Sequence, residues 1–181
     1  AFLKASNVPD SYEATLDAFR KASRKSDLIL TSGGMSVGEA DYIKPVVEAL
    51  GHIDMWKIAV KPGKPVAKGE VNGVPFLGLP GNPVSSLVTF LIFAQPLILK
   101  LSGRREVEVK SYNLPIDFDW KGGSRREFIR VRRNENGALE AYRTQNSAVL
   151  TSCLWADGLA DIPANADLKK GDLVRYIPFS G

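Results

Sequence analysis

Residues 27–51 read DLILTSGGMSVGEADYIKPVVEALG: an apolar run, a glycine-rich segment and an amphipathic run follow one another directly. The apolar run 27–31 is typical of a short buried strand. In 43–50 the apolar residues recur at the spacing of one helix face, and Gly51 is suited to end that helix. A strand that passes through a glycine-rich loop into a helix is the repeating unit of a parallel α/β sheet.

Strand and helix patterns continue to alternate over the first ~100 residues, which predicts an α/β domain with crossover helices. The strands predicted there lie at 2–8 and 56–60, and a hairpin over 66–79 turns at Asn72-Gly73. A helix is predicted within 11–25, capped by Asp10. A long helix follows the hairpin, with Asn82 as cap and Pro83 at its first position; we expect Pro96 to kink it and Gly103 to end it.

After Gly103 the pattern changes to short strands separated by glycine, asparagine and proline, and we place the domain boundary there. The predicted strands are 106–110, 114–120, 127–133, 139–143 and 173–176. The fold class is therefore α/β, with a parallel-sheet αβα domain over 1–103 and a small all-β barrel domain over 104–181.

The composition limits the possible chemistry. The chain has one cysteine, Cys153, and one histidine, His52, which excludes an internal disulfide and leaves oxygen atoms as the expected ligands of any metal. A net charge of +4 suits an anionic ligand and does not require nucleic acid. We find no run of about 18 uncharged apolar residues, so we expect no membrane span and a cytoplasmic location.

Three segments have the composition of an anion site: 31–41, 61–65 and 79–83. Glycine lets backbone N–H groups approach a phosphate, a helix N-terminus presents free donors, and lysines add full charges. The glycine segment matches neither the P-loop nor the dinucleotide-binding pattern. A generic strand-to-helix turn therefore stays open as an alternative to a phosphate cradle.

Several residues can be interpreted in two ways from the sequence alone. Asp41 and Asp10 are either helix caps or carboxylates that serve Mg²⁺. Lys61 and Lys64 are either a solvated face or donors to an oxyanion on a loop that prolines stiffen. The alternating stripe Arg126, Phe128, Arg130 and Arg132 is either a nucleic-acid platform or the wet face of a barrel.

In combination, these motifs closely resemble the molybdopterin molybdenumtransferase family, the MoeA and gephyrin E-domain group. The segments that carry the resemblance are 27–41, 56–57, 61–65, 78–85, 125–128, 145–147 and 156–159. The resemblance implies a MogA-like domain over 1–103 that lacks its first strand and helix, followed by the C-terminal β-barrel domain over 104–181. By this interpretation the chain is a C-terminal fragment.

The resemblance implies insertion of molybdate into adenylylated molybdopterin, with Mg²⁺-dependent release of AMP. It assigns the pterin-linked pyrophosphate to Thr31, Ser32, Gly33, Gly34, Ser36, Gly38, Pro80, Gly81, Asn82 and Pro83. It assigns hydrolysis to Asp41 and Asp10, with Asp41 as the Mg²⁺ ligand. It assigns molybdate to Lys61, Lys64, Ser85, Ser147 and the pair Arg125 and Arg126.

The resemblance also implies a homodimer whose active site lies between subunits, and a molybdopterin adenylyltransferase as a partner, with neither nucleic acid nor membrane involved. Three alternatives remain at this point. The chain is a non-catalytic, gephyrin-like molybdopterin-binding or scaffold module, a MogA-like adenylyltransferase, or a nucleic-acid-binding β domain. MogA-like proteins lack the C-terminal β domain, and the third alternative rests only on the arginine stripe.

Overall fold

The computed structural model describes residues 3–34, 42–55, 58–63 and 66–179. Its helices are α1 (Tyr12–Ser23), α2 (Ile43–Leu50), α3 (Pro83–Thr89), α4 (Gln95–Leu101) and α5 (Thr151–Trp155), with a π-helical segment (Phe90–Ala94) between α3 and α4. Its strands are β1 (Ile29–Ser32), β2 (Gly51–Met55), β3 (Val60–Lys61), β4 (Ala67–Val71), β5 (Val74–Leu79), β6 (Tyr112–Pro115), β7 (Trp120–Lys121), β8 (Arg126–Arg133), β9 (Leu139–Ala141), β10 (Gly158–Ile162), β11 (Asp167–Leu168) and β12 (Leu173–Pro178).

The first sheet has the strand order β1-β5-β4-β2. Strand β1 pairs with β5 in parallel, whereas β4 runs antiparallel to both β5 and β2. Helices α1 and α2 supply Phe19, Val46 and Val47 to the core on this sheet, and Phe19 contacts Phe76 with ring centroids 5.6 Å apart. The predicted α/β class is confirmed, and the described strands form a mixed sheet.

The second sheet has the order β3-β8-β10-β12-β6, with β9 also paired to β8, and β7 and β11 form a separate pair. Strand β3 precedes the first sheet's hairpin in the chain but pairs in parallel with β8. Val88 and Leu91 of the long helix pack against Phe128 of β8, in a cluster that joins the helix to this sheet. Ala94 of the same helix packs against Leu77 and Leu79 of β5, so the helix contacts both sheets.

The long helix begins as predicted. The Asn82 side chain accepts a hydrogen bond from the Ser85 N–H (3.1 Å), and Pro83 occupies the first helical position. The π-helical segment ends two residues before Pro96, where a kink is predicted and where proline provides no N–H for the helical ladder. The hairpin turn is also confirmed, with positive φ at Asn72 (49°) and Gly73 (83°).

The expectation that no segment is long and apolar enough for a membrane span is not met. Pro83–Leu101 is a 19-residue helix with a mean hydropathy of 1.8, which satisfies both criteria of length and composition. The core helix of a soluble protein satisfies them equally. Here Val84, Val88, Leu91 and Ala94 are buried against the rest of the chain.

Three predictions in the first half are wrong. Ser11, not Asp10, caps α1: its extended backbone lets its Oγ accept from the Ala14 N–H (3.2 Å). Residues 3–9 are exposed and form no strand, because no described strand pairs with them. Of the strand predicted at 56–60, Ile58 and Ala59 are not in a strand and only Val60 is, as the first residue of β3; Trp56 and Lys57 lie outside the described residues.

In the second half, 106–110 forms no strand, and the predicted strand 114–120 is divided between β6 and β7. The sequence also does not predict β10, which lies between β8 and β12 at the centre of the sheet. All five residues of β10 are buried, so it lacks the alternation of apolar and polar residues by which a half-exposed strand is recognised.

Candidate anion-binding site

A cleft of about 560 Å³ lies at the junction of the two sheets. Four segments line it: the end of β3, the start of the long helix, the residue before β8, and the loop before α5. Its lining residues are Lys61, Pro62, Gly63, Pro80, Gly81, Asn82, Ser85, Arg125, Gln145, Asn146 and Ser147. The cleft therefore combines segments from both halves of the sequence.

Lys61 is held at the cleft by a buried carboxylate. Strand pairing sets Lys61 beside Glu127, and Lys61 Nζ lies 3.2 Å from Glu127 Oε1. Glu127 is only 4% exposed and also accepts from Trp120 Nε1 (3.2 Å) and the Gly123 N–H (3.4 Å). Since the Lys61 side chain is 46% exposed, its ammonium group is fixed on one side and free to contact a ligand on the other.

Arg125, which precedes β8, and Arg126, its first residue, have different roles. Arg126 donates to both oxygens of the buried Asp161, from Nε (2.6 Å) and Nη2 (2.5 Å), and this hydrogen bonding raises the pKa of Arg126. Arg125 donates from Nη1 to the Val60 carbonyl oxygen (3.2 Å) and has no carboxylate partner among the described residues. Arg125 lines the cleft and Arg126 does not.

The loop 144–150 forms one wall of the cleft, through Gln145, Asn146 and Ser147. Gln145 Oε1 accepts from the Arg130 N–H (2.8 Å), and Gln145 Nε2 donates to the Arg130 carbonyl (3.0 Å). Asn146 closes a local turn by accepting from the Ala148 N–H (2.9 Å). These contacts attach the wall to β8 and place Ser147 in the cleft.

The glycine-rich segment lies beside the start of the long helix. Gly33 and Gly34 have φ of 93° and 64°, and the Gly33 N–H donates to the Leu79 carbonyl (3.1 Å). A Cβ on Gly81 would lie 3.2 Å from Gly33 Cα, so the two loops need small residues. The Thr31 hydroxyl is buried without a hydrogen-bond partner in the described part of the chain.

The cleft brings together many, but not all, of the predicted site residues. Lining it are Lys61, Ser85, Arg125, Ser147, Pro80, Gly81 and Asn82. Described but not lining it are Asp10, Thr31, Ser32, Gly33, Gly34, Pro83 and Arg126. Outside the described residues are Ser36, Gly38, Asp41 and Lys64, whose assignments stay predictions.

The described residues do not supply a ligand set for Mg²⁺. Across ranges 3–34, 42–55, 58–63 and 66–179, no group of three or more His, Cys, Asp or Glu side chains could hold a metal ion. Glu127, the acidic residue that touches the cleft through Lys61, is already paired. The assignment of Mg²⁺ to this site therefore depends on Asp41.

Sequence reasoning did not assign a role to Gln145, Asn146 or Glu127, and it misjudged the arginine stripe. Phe128 and Arg130 are 3% and 0% exposed, so the middle of this face is neither wet nor available to nucleic acid, and only Arg126 and Arg132 at its ends are exposed. The long helix covers Phe128, and α5 with its preceding loop covers Arg130. The one feature of the sequence that marks Glu127 is its position as a carboxylate between Arg126 and Phe128 in a predicted strand.

Comparison with known families identifies the two halves of the chain. Residues 3–100 match the family described as "Probable molybdopterin binding domain". Residues 113–179 match the family described as "MoeA C-terminal region (domain IV)".

Individual relatives agree with these matches. The chain is 52% identical over 99 residues (55% of this chain, 24% of the relative) to the molybdopterin molybdenumtransferase of Haemophilus influenzae. It is 35% identical over 163 residues (87% of this chain, 27% of the relative) to the molybdenum cofactor synthesis protein cinnamon of Drosophila melanogaster. The crystal structure of a molybdopterin biosynthesis MoeA protein from Pyrococcus horikosii superposes with a TM-score of 0.79 at 31% identity, covering 96% of this chain and 42% of that one.

The chain thus spans about a quarter of the length of the two relatives and about two-fifths of the solved structure. The first match extends over more than half of the chain, and the second, described as a C-terminal region, follows it. The chain therefore belongs to the molybdopterin-binding domain family, in its MoeA branch.

Proposed function

We propose that this chain acts in molybdenum cofactor biosynthesis, by inserting molybdate into adenylylated molybdopterin with release of AMP. The observation that supports this most directly is the cleft, where Lys61, Ser85, Arg125 and Ser147 meet from distant parts of the sequence. Two cations and two hydroxyls suit a tetrahedral dianion, whose hydration shell must be replaced by several fixed donors. The Haemophilus relative is named molybdopterin molybdenumtransferase.

Different residues of the chain would bind the molybdate and the pterin-linked pyrophosphate. Lys61 and Arg125 would donate charge-assisted hydrogen bonds to molybdate, and Ser85 and Ser147 would donate hydrogen bonds to its oxygens. The start of the long helix adds a partial positive charge on the same side. The Thr31–Gly34 segment, whose Thr31 hydroxyl has no hydrogen-bond partner among the described residues, would bind the pterin-linked pyrophosphate next to Pro80 and Gly81.

Mg²⁺ would be held by Asp41, with Asp10 contributing to hydrolysis as the resemblance implies. When bound, the ion would stabilise negative charge on the phosphate oxygens. The described residues do not complete its ligand set, so we derive no step through it. We further propose a cytoplasmic homodimer, a molybdopterin adenylyltransferase as the supplier of substrate, and a domain boundary at Ser102-Gly103.

Release of AMP tests this proposal. We expect AMP and molybdenum cofactor to form from adenylylated molybdopterin and molybdate when the chain is supplied together with the remaining part of a related molybdenumtransferase. Omitting this chain is the control. Formation of cofactor at the same rate without it would contradict the proposal.

The adjacent arginines give a matched pair of variants. We expect Arg125→Ala to weaken molybdate binding by roughly tenfold, because it removes a charge-assisted donor. Arg126→Ala should leave the affinity nearly unchanged and lower the free energy of unfolding by about 1–2 kcal/mol, since it leaves Asp161 buried with a weaker partner. Calorimetric titration and urea denaturation of both variants measure the two effects; the reverse assignment would show that Arg126 is the ligand.

A further inference from the structure

Arg130 is a fully buried cation whose described hydrogen-bond acceptors are all neutral. It is 0% exposed in the middle of β8. Its Nε donates to Ser152 Oγ (3.1 Å), and its Nη2 donates to the Asn146 carbonyl oxygen (3.2 Å). Within the described ranges, no carboxylate forms an ion pair with it. The side chain therefore carries a full charge that only dipoles solvate.

Such an arrangement is costly, because an unpaired charge loses its hydration on burial. Burial lowers the pKa of Arg130, but a guanidinium group does not deprotonate in proteins. Two other cations of this region do have carboxylate partners: Arg126 is paired with Asp161, and Lys61 is paired with Glu127. Among the described residues of the site, Arg125 and Arg130 are the two cations that form no ion pair with a carboxylate.

Arg130 is connected directly to the wall of the cleft. The carbonyl that it binds belongs to Asn146, and the Gln145 amide clamps the backbone N–H and C=O of Arg130. Both Gln145 and Asn146 line the cleft, whereas Arg130 itself does not. The guanidinium group thus lies one residue behind the surface that a bound anion would face.

We propose that Arg130 is a positioning residue for the anionic substrate. It holds the Gln145–Ser147 wall in place through the Asn146 carbonyl, and its charge, added to that of Arg125, selects an anion with two negative charges. The inference rests on the proposed function, since it assumes that the cleft binds molybdate. It adds a preference for dianions over monoanions of the same shape.

The test compares molybdate with perrhenate, a tetrahedral monoanion of similar size, by calorimetric titration of the 181-residue chain. For Arg130→Met we expect about a tenfold loss of affinity for molybdate and about a threefold loss for perrhenate, because the Coulomb energy scales with ligand charge. Arg130→Lys should recover most of the molybdate affinity. Arg130→Gln, a second uncharged variant, should repeat the Arg130→Met result and serves if that variant does not fold.

Arg132→Met is the matched control, since it removes the same charge from the same strand at an exposed side chain that pairs with Glu140. We expect it to change neither affinity by more than about twofold, because exposed charges are screened by solvent. Unchanged molybdate affinity in Arg130→Met, or equal losses for the two anions, would overturn the inference while the cleft assignment stands. Failure of the unaltered chain to bind either anion would instead overturn the cleft assignment itself.

Discussion

Replacing Lys61 with alanine is expected to weaken molybdate binding by about tenfold to a hundredfold, the range for losing one charge-assisted contact. The structure places Lys61 at the cleft, where Glu127 fixes its ammonium group without covering it. The same substitution leaves the buried Glu127 carboxylate without its cation, so a modest loss of stability should accompany the loss of affinity. Calorimetric titration at one ionic strength measures the binding effect.

Lys68→Ala is the control for this variant. Lys68 lies on β4, is exposed, and pairs with Asp54 at 3.7 Å, outside the cleft. We expect its removal to leave molybdate affinity unchanged within about twofold, because an exposed charge is screened by solvent. Equal losses for Lys61→Ala and Lys68→Ala would mean that net charge, and not the cleft, attracts the anion.

The second large effect concerns Asp41. In the chain supplied together with the remaining part of a related molybdenumtransferase, we expect Asp41→Asn to retain adenylylated molybdopterin but to lose AMP release. Asparagine can still cap a helix, whereas it carries no charge to place Mg²⁺. Chromatographic detection of AMP after a single turnover measures this. Asp17→Asn, which alters only a surface pair with Lys21, is the control. Normal AMP release with a lower unfolding temperature would show that Asp41 is a cap.

Elements with strong local signals could be predicted from the sequence. The long helix has a cap, a proline at its first position and a broad apolar face. Each of these signals depends only on residues that are a few positions apart in the sequence. The hairpin at Asn72-Gly73 is equally local. By contrast, β10 is recognisable only by the strands on either side of it, which are distant in sequence. Its position therefore could not be predicted from its own residues.

In the candidate site, too, some features could be predicted from local sequence and others depend on contacts between distant residues. Glycine, proline and lysine motifs predict an anion site, and the cleft brings Lys61, Ser85 and Ser147 together. Strand periodicity places Arg126 and Arg130 on one face of β8, but it cannot tell that Asp161 pairs with the first and that a loop covers the second. The choice of Arg125 as the cleft residue likewise follows from tertiary pairing. Local sequence gives the residue types, and contacts between distant strands determine their roles.

The central claim is that the cleft binds molybdate, and anomalous diffraction tests it most directly. Crystals of the chain grown with molybdate, measured at the molybdenum absorption edge, should show an anomalous peak within hydrogen-bonding distance of Lys61, Ser85 and Arg125. A matched crystal grown with sulfate should show density at the same point without that anomalous signal. A molybdenum peak bound elsewhere on the chain, with the cleft containing none, would contradict the account.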